Sequence, residues 1–146
     1  MDRNDGFGFY MDKTLKTIQW AYQQCFTENN IDLTIEQWVL LDYIERLSPN
    51  ALQSDLAKLN FRNRATTSRV VKGLIQKGLV EKTRPANNQK QYILDLTKAG
   101  REAWAQANQS VQKLRTQGKK NIPQSDFNVF LSVLEQVHEN YSTEED

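Results

Sequence analysis

Nine basic residues crowd one stretch of this chain: Lys58, Arg62, Arg64, Arg69, Lys72, Lys77, Lys82, Arg84 and Lys90, against the single acid Glu81. The stretch has a surplus of eight positive charges and the whole chain is +1, so the remainder is −7. A solvated helix face of mixed Lys and Glu interleaves acids with its bases, and this stretch does not. Such segregation creates a local field that draws polyanions, while the acidic remainder limits indiscriminate sticking. Within the stretch, Arg64, Thr66, Ser68, Arg69 and Lys72 lie on the outward side of a helical segment whose other side carries Thr67, Val71 and Leu74. Those outward types work in a DNA groove: arginine can bond guanine through two parallel hydrogen bonds, and hydroxyls reach phosphate or base edges at short range. Arg62 just precedes them, and Arg84, Asn88 and Lys90 follow in a polar turn. These nine are the candidate DNA contacts.

Other chemistries find few residues to run on. The chain has no Gly-rich phosphate loop, no nucleophile elbow and no paired metal-ligand motif, so no catalytic residue, cofactor or metal is expected. His138 is the only histidine. It stands beside an apolar helical stripe with no cysteine or suitable acid as co-ligand, and is read as packed or interfacial. Cys25 is the only cysteine, which excludes an intrachain disulfide and a cysteine-rich zinc cluster. No basic side chain lies within a helical turn of it, so a buried structural thiol is expected rather than a peroxide sensor.

The elements that must position the basic residues follow from periodicity. Phe7 to about Thr27 is a long amphipathic helix, with Met11, Leu15, Ile18, Tyr22 and Cys25 on one face. Thr34 and Gln37 have the spacing of a capping box, opening a second helix through Trp38, Leu40, Leu41 and Ile44. Asn50 to Gln53 is a weaker cap signal for a short helix ending near Leu59. The basic helix spans about Asn63 to Lys77 and stops at Gly78. Leu79 to Thr83 and Gln91 to Leu96 then read as a β-hairpin, with the basic turn Arg84 to Lys90 at its tip. A fifth helix runs from Thr97 to about Gly118, with Ala103, Ala107, Val111 and Leu114 in register, and a sixth follows the break at Asn121 to Pro123.

Helix, short helix, basic helix and hairpin in that order make a winged helix-turn-helix. Its logic is that a B-DNA major groove, roughly 12 Å wide, admits one α-helix, whose angle of entry the preceding helix and turn fix. The expected fold is mainly α, with a small hairpin wing, flanked by long N- and C-terminal dimerisation helices. Residues 1–32 form the first of these, 33–97 the DNA-binding lobe and 98–146 the last two, with no linker between them. That lobe is too small to cover the stripes of Met11, Leu15 and Ile18 and of Phe127, Phe130, Leu134 and Val137. A second copy of the chain is expected over them. The polar N-terminus lacks signal-peptide character and no apolar run could span a bilayer, so a cytoplasmic location away from membranes is expected.

Leu33-Thr34-Ile35-Glu36-Gln37-Trp38, Asp55-Leu56-Ala57, Ser68 through Leu74, Lys77-Gly78-Leu79-Val80 and Leu96-Thr97-Lys98-Ala99-Gly100 together resemble the MarR (multiple antibiotic resistance regulator) family, in the same order and with similar spacing. The resemblance implies a helical homodimer that binds a palindromic double-stranded operator, usually represses, and often releases DNA when a small aromatic or phenolic ligand binds. It also implies an Asp-x-Arg in the wing, where this chain has Asn88 and Lys90. Lysine is a hydrated point charge without the planar guanidinium fork, so weaker minor-groove reading is expected there, with Arg84 a partial substitute. Phe7, Phe9, Tyr10, Trp20, Tyr22, Phe26 and Trp38 would suit the wall of a planar aromatic ligand, but aromatics at helical spacing are more often core or dimer interface. The alternative function is a winged-helix module that docks an acidic protein without reading DNA. Salt dependence of binding to random duplex separates the two.

Overall fold

The computed structural model describes residues 6–59, 64–87 and 90–142, and these form six helices and three strands. In chain order they are α1 (Phe7–Glu28), α2 (Ile35–Leu47), β1 (Ala51–Leu52), α3 (Gln53–Leu59), α4 (Arg64–Gln76), β2 (Val80–Thr83), β3 (Ile93–Leu96), α5 (Lys98–Gly118) and α6 (Gln124–Tyr141). The chain divides into a unit from Met1 to Val111 and another from Gln112 to Asp146, the division falling within α5.

In the first unit the capping box at Thr34 forms as its spacing requires. Thr34 Oγ1 accepts from the Gln37 backbone N–H at 3.1 Å, and the Gln37 side chain accepts from the Thr34 N–H at 3.1 Å. Two of the four orphan donors of α2 are thereby satisfied at its first turn. The helix then buries Trp38, Leu40, Leu41 and Ile44 against Phe26 of α1, Leu56 of α3, Val70, Val71 and Leu74 of α4, Leu94 and Leu96 of β3, and Ala107 and Val111 of α5. One acid shares this interior. Asp42 is 8% exposed, and both its oxygens are engaged: Trp104 Nε1 donates to one at 3.0 Å and Arg46 reaches the other at 2.6 Å.

The helix expected from the Asn50 cap signal starts later than its sequence suggests. Ala51 and Leu52 are a short strand, and α3 begins at Gln53. The reason is pairing: Ala51 lies opposite Leu94 and Leu52 opposite Ile93, so β1 completes a three-stranded antiparallel sheet of order β1-β3-β2. Local propensity favours a cap there, but tertiary hydrogen bonding and the full burial of Ala51 decide otherwise.

Gly78 ends α4 with φ +73, a conformation that side-chain-bearing residues rarely adopt. Its N–H donates to the Ile75 carbonyl at 2.9 Å and the Leu79 N–H to Leu74 at 3.0 Å, the two bonds of a Schellman motif. The chain is thus turned directly into β2. After β3, Thr97 opens α5: its Oγ1 accepts from the Gly100 N–H at 3.0 Å and donates to the Gly78 carbonyl at 2.6 Å. Gly100 is buried where a Cβ would stand 2.0 Å from the Leu79 carbonyl oxygen. The strings Lys77-Gly78-Leu79-Val80 and Leu96-Thr97-Lys98-Ala99-Gly100 are therefore two halves of one junction, which sets the wing against α4 and α5.

One single-residue expectation changes. Cys25 is half-buried rather than buried, its Sγ accepting from Asn29 Nδ2 at 3.6 Å, because the late turns of α1 turn Phe26 inward instead. His138 is exposed within the chain and shares a hydrogen bond with the Ser142 hydroxyl. In the second unit, α6 follows Asn121, at φ 63, and Pro123 at its N-cap. Phe127 packs on Phe130 with ring centroids 5.7 Å apart and lies beneath the Lys119 ammonium at 5.1 Å. Among the described residues no helix is long and apolar enough to cross a membrane.

Candidate nucleic-acid interface

On α4 the buried residues are Thr67, Val70, Val71 and Leu74, which leaves Arg64, Ser68, Arg69 and Lys72 exposed and Thr66 half-buried. A helix that buries its i, i+3, i+4, i+7 positions presents the opposite side along its whole length. Arg84 and Lys90 are exposed on the wing. Arg62 and Asn88 lie outside the described residues. Of the residues assigned to a dimer contact, Met11, Leu15, Ile18 and Phe130 are exposed, and Phe127, Leu134 and Val137 half-buried.

Two grooves flank α4. One, of about 440 Å³, gathers Arg64, Thr67 and Ser68 of α4 with Gln53, Ser54 and Ala57 of α3 and Lys90 and Gln91 from the far side of the hairpin. Thr67 Oγ1 and Gln53 Oε1 are buried at this groove with no hydrogen-bond partner among the described residues. The other, of about 420 Å³, runs between the first turn of α2 and α4, lined by Thr34, Glu36, Gln37, Arg69, Val70, Lys72, Gly73 and Gln76. Both grooves offer hydroxyls, amides and cations, the donor set suited to phosphate oxygens and base edges.

The bases divide by what holds them. Lys77 Nζ donates to the Asp32 carbonyl at 2.8 Å and to Gln37 Oε1 at 2.9 Å, so this cation fastens the end of α4 to the approach to α2. Arg69 Nη2 reaches Glu36 Oε2 at 3.2 Å. On the wing, Lys82 Nζ stands 3.8 Å from the centre of the Tyr92 ring and the Arg84 guanidinium 4.5 Å, while Arg84 Nη2 also donates to the Tyr92 hydroxyl. That hydrogen bond is the main cause holding the Tyr92 phenol below its ordinary pKa of 10.0, with the charges of Arg84 and Lys82 adding to it and desolvation opposing. One aromatic ring thus gathers two cations at the wing, through cation–π attraction and a shared hydroxyl.

Tyr92 and Glu36 are the residues that sequence reasoning passed over. Tyr92 was legible in principle. The register Thr83 to Ile93, carried one step further, sets Arg84 opposite Tyr92, and alternation puts Lys82 on the same face. Glu36 left no such signal, since its contact with Arg69 joins residues 33 apart.

A family model described as MarR family matches residues 31–91, the segment holding α2, α3, α4 and most of the hairpin. No curated protein matches the chain. Solved structures are similar over nearly its whole length. An S. aureus MepR–DNA complex superposes with TM-score 0.86 at 16% identity, covering 94% of this chain and 99% of that one. The repressor CouR bound to a 23-mer DNA duplex gives 0.80 at 20% identity over 90% and 91%. CouR from Rhodococcus jostii RHA1 bound to p-coumaroyl-CoA gives 0.80 at 17% identity, covering 96% of each chain. The fold is therefore that of these winged-helix proteins, and the match across 31–91 falls on the same lobe whose strings carry the resemblance. Over that lobe, residues 31–91, the chain is similar to the MarR family.

Proposed function

We propose that this protein is a sequence-specific, DNA-binding transcriptional regulator, acting as a homodimer on a palindromic double-stranded operator and releasing it when a small aromatic or phenolic molecule binds. One observation carries the reading: α4 exposes Arg64, Ser68, Arg69 and Lys72 along one side, next to a wing that carries Lys82, Arg84 and Lys90. A helix of that surface fits a major groove, and wing cations reach the flanking phosphates or the minor-groove edge. The DNA-bound MepR and CouR structures support the role of the lobe, and the p-coumaroyl-CoA complex of CouR supports a ligand-responsive regulator. Such a regulator works in the cytoplasm and needs no catalytic residue, metal or cofactor.

The dimer rests on the exposed apolar residues of α1 and α6, among them Met11, Leu15, Ile18 and Phe130. A soluble chain that leaves so many large apolar side chains in water gains by covering them with a second copy.

Fluorescence anisotropy on a random duplex at rising salt tests the reading. A protein that neutralises several phosphates loses affinity steeply, with a slope of about −0.9 per neutralised phosphate. Binding that ignores salt, or no binding at all, sinks it in favour of a module that docks an acidic protein. Selection of bound duplexes from a random pool is expected to return an inverted repeat.

A further inference from the structure

Arg69 stands on the exposed side of α4, yet it is tethered. Its Nη2 reaches Glu36 Oε2 at 3.2 Å, with both side chains still partly in water, at 67% and 36% exposure. Three features of this chain place that carboxylate. Gly73 lies one helical turn beyond Arg69, and a Cβ there would come within 3.2 Å of Gln37 Nε2, so the bare backbone leaves room for the Gln37 amide against α4. Gln37 is in turn held by the Thr34 cap and by Lys77. Glu36 lies in that same first turn, where the helix dipole favours a carboxylate.

A guanidinium has five N–H donors, and reading guanine takes two of them in parallel. A single bond to Glu36 leaves the fork able to do so. An untethered arginine beside a duplex has two destinations, the nearest phosphate and the base edge, and phosphate contacts carry no sequence information. Tethering removes rotamer freedom before binding and so lowers the entropic cost of the oriented contact. The carboxylate also repels phosphate, which weakens binding to every duplex alike, so discrimination comes from the presentation of Arg69 and not from the repulsion.

Resting on the DNA-binding reading above, we propose that Glu36 is a specificity-determining positioning residue, which presents Arg69 to a guanine edge and lowers affinity for DNA that lacks it. The experiment uses the full chain and an operator selected by the wild-type protein. Wild type, E36Q, E36D and R69A are titrated against that operator, against versions with each symmetric base pair replaced in turn, and against random duplex. E36Q keeps the α2 cap, which uses Thr34 and Gln37, so it should stay folded and lose only the small stabilisation of a first-turn carboxylate.

E36Q is expected to bind random duplex several-fold more tightly at low salt, through the removal of a negative charge. Its operator-to-random ratio should fall by about tenfold, the scale of one bidentate base contact, and relax at the base pair that R69A also relaxes. E36D keeps the charge but loses reach, so it should lower the ratio while leaving random-duplex affinity near wild type. An unchanged ratio in E36Q overturns the proposal. So does an equal rise on every duplex, which would make Glu36 a mere repulsive charge, and so does a wild type that selects no consensus. If the wild type binds no duplex at all, the functional reading itself fails. If it binds operator specifically and E36Q discriminates as well as wild type, only this inference does.

Discussion

Tyr92 shows how much a single side chain can organise at the wing. The resemblance implies an Asp-x-Arg in the wing where this sequence has Asn88 and Lys90, and among the described residues Arg84 is oriented by an aromatic ring and its hydroxyl. Tyr92 is therefore expected to titrate below 10.0 in tyrosine-labelled NMR, and R84A should move the midpoint upward by removing the main cause of the shift. The sign matters for stability. A phenol whose folded pKa is depressed adds stability only as pH rises through its titration, and loses that contribution as pH falls through the folded value. At neutral pH it adds none, so the ring acts there by placing cations. Y92L, which removes ring and hydroxyl, should weaken duplex binding and flatten its salt slope by up to about 0.9 for each phosphate that is no longer neutralised. A midpoint unchanged by R84A would show that Arg84 does not hold this hydroxyl in solution.

The junction of α4, β2 and α5 gives the wing its fixed angle, and its tightest point is Gly100. A methyl group there would meet the Leu79 carbonyl oxygen at 2.0 Å, and a backbone atom cannot swing aside as a side chain can. G100A should therefore destabilise by about 1–3 kcal/mol, as other overpacked sites do. In a chain of this size that is a fall in melting temperature of roughly 5 °C. Gly8 makes the control, because nothing lies within 4 Å of its Cβ position and it is helical. G8A should be neutral or raise stability by up to about 1 kcal/mol through helix propensity. Equal melting curves for the two variants would mean that the junction yields easily and cannot be what sets the wing.

At the scale of the molecule the apolar residues that the chain leaves in water are decisive. Leu15 is 53% exposed and Phe130 50%, each within a helical stripe of its own kind. Sedimentation at micromolar concentration should return a species of twice 17.0 kDa, and L15E or F130E should shift it toward the single chain. A desolvated, unpaired carboxylate at such a contact is strongly unfavourable, whereas on a face already in water it costs little. The same variants should lose affinity for a palindromic operator more than for a half-site, since only a dimer engages both halves. A wild-type monomer would return those stripes to the search for another partner.

The sequence by itself determined the elements whose cause is local. The Thr34 cap, the Gly78 stop, the apolar face of Thr67, Val71 and Leu74, and the charge segregation from Lys58 to Lys90 all depend on residues within a few turns of each other, where periodicity and capping chemistry act. Tertiary structure decided what depends on distant partners. Ala51 and Leu52 became a strand because β3 was there to pair with them, against a local cap signal. Asp42 could be buried because Trp104, 62 residues away, donates to it. Arg69, one outward arginine among several in the sequence, acquired a tether because α2 packs on α4 and brings Glu36 to it. In each case the deciding interaction is a hydrogen bond or close approach between elements, whose geometry exists only once packing has set their distance.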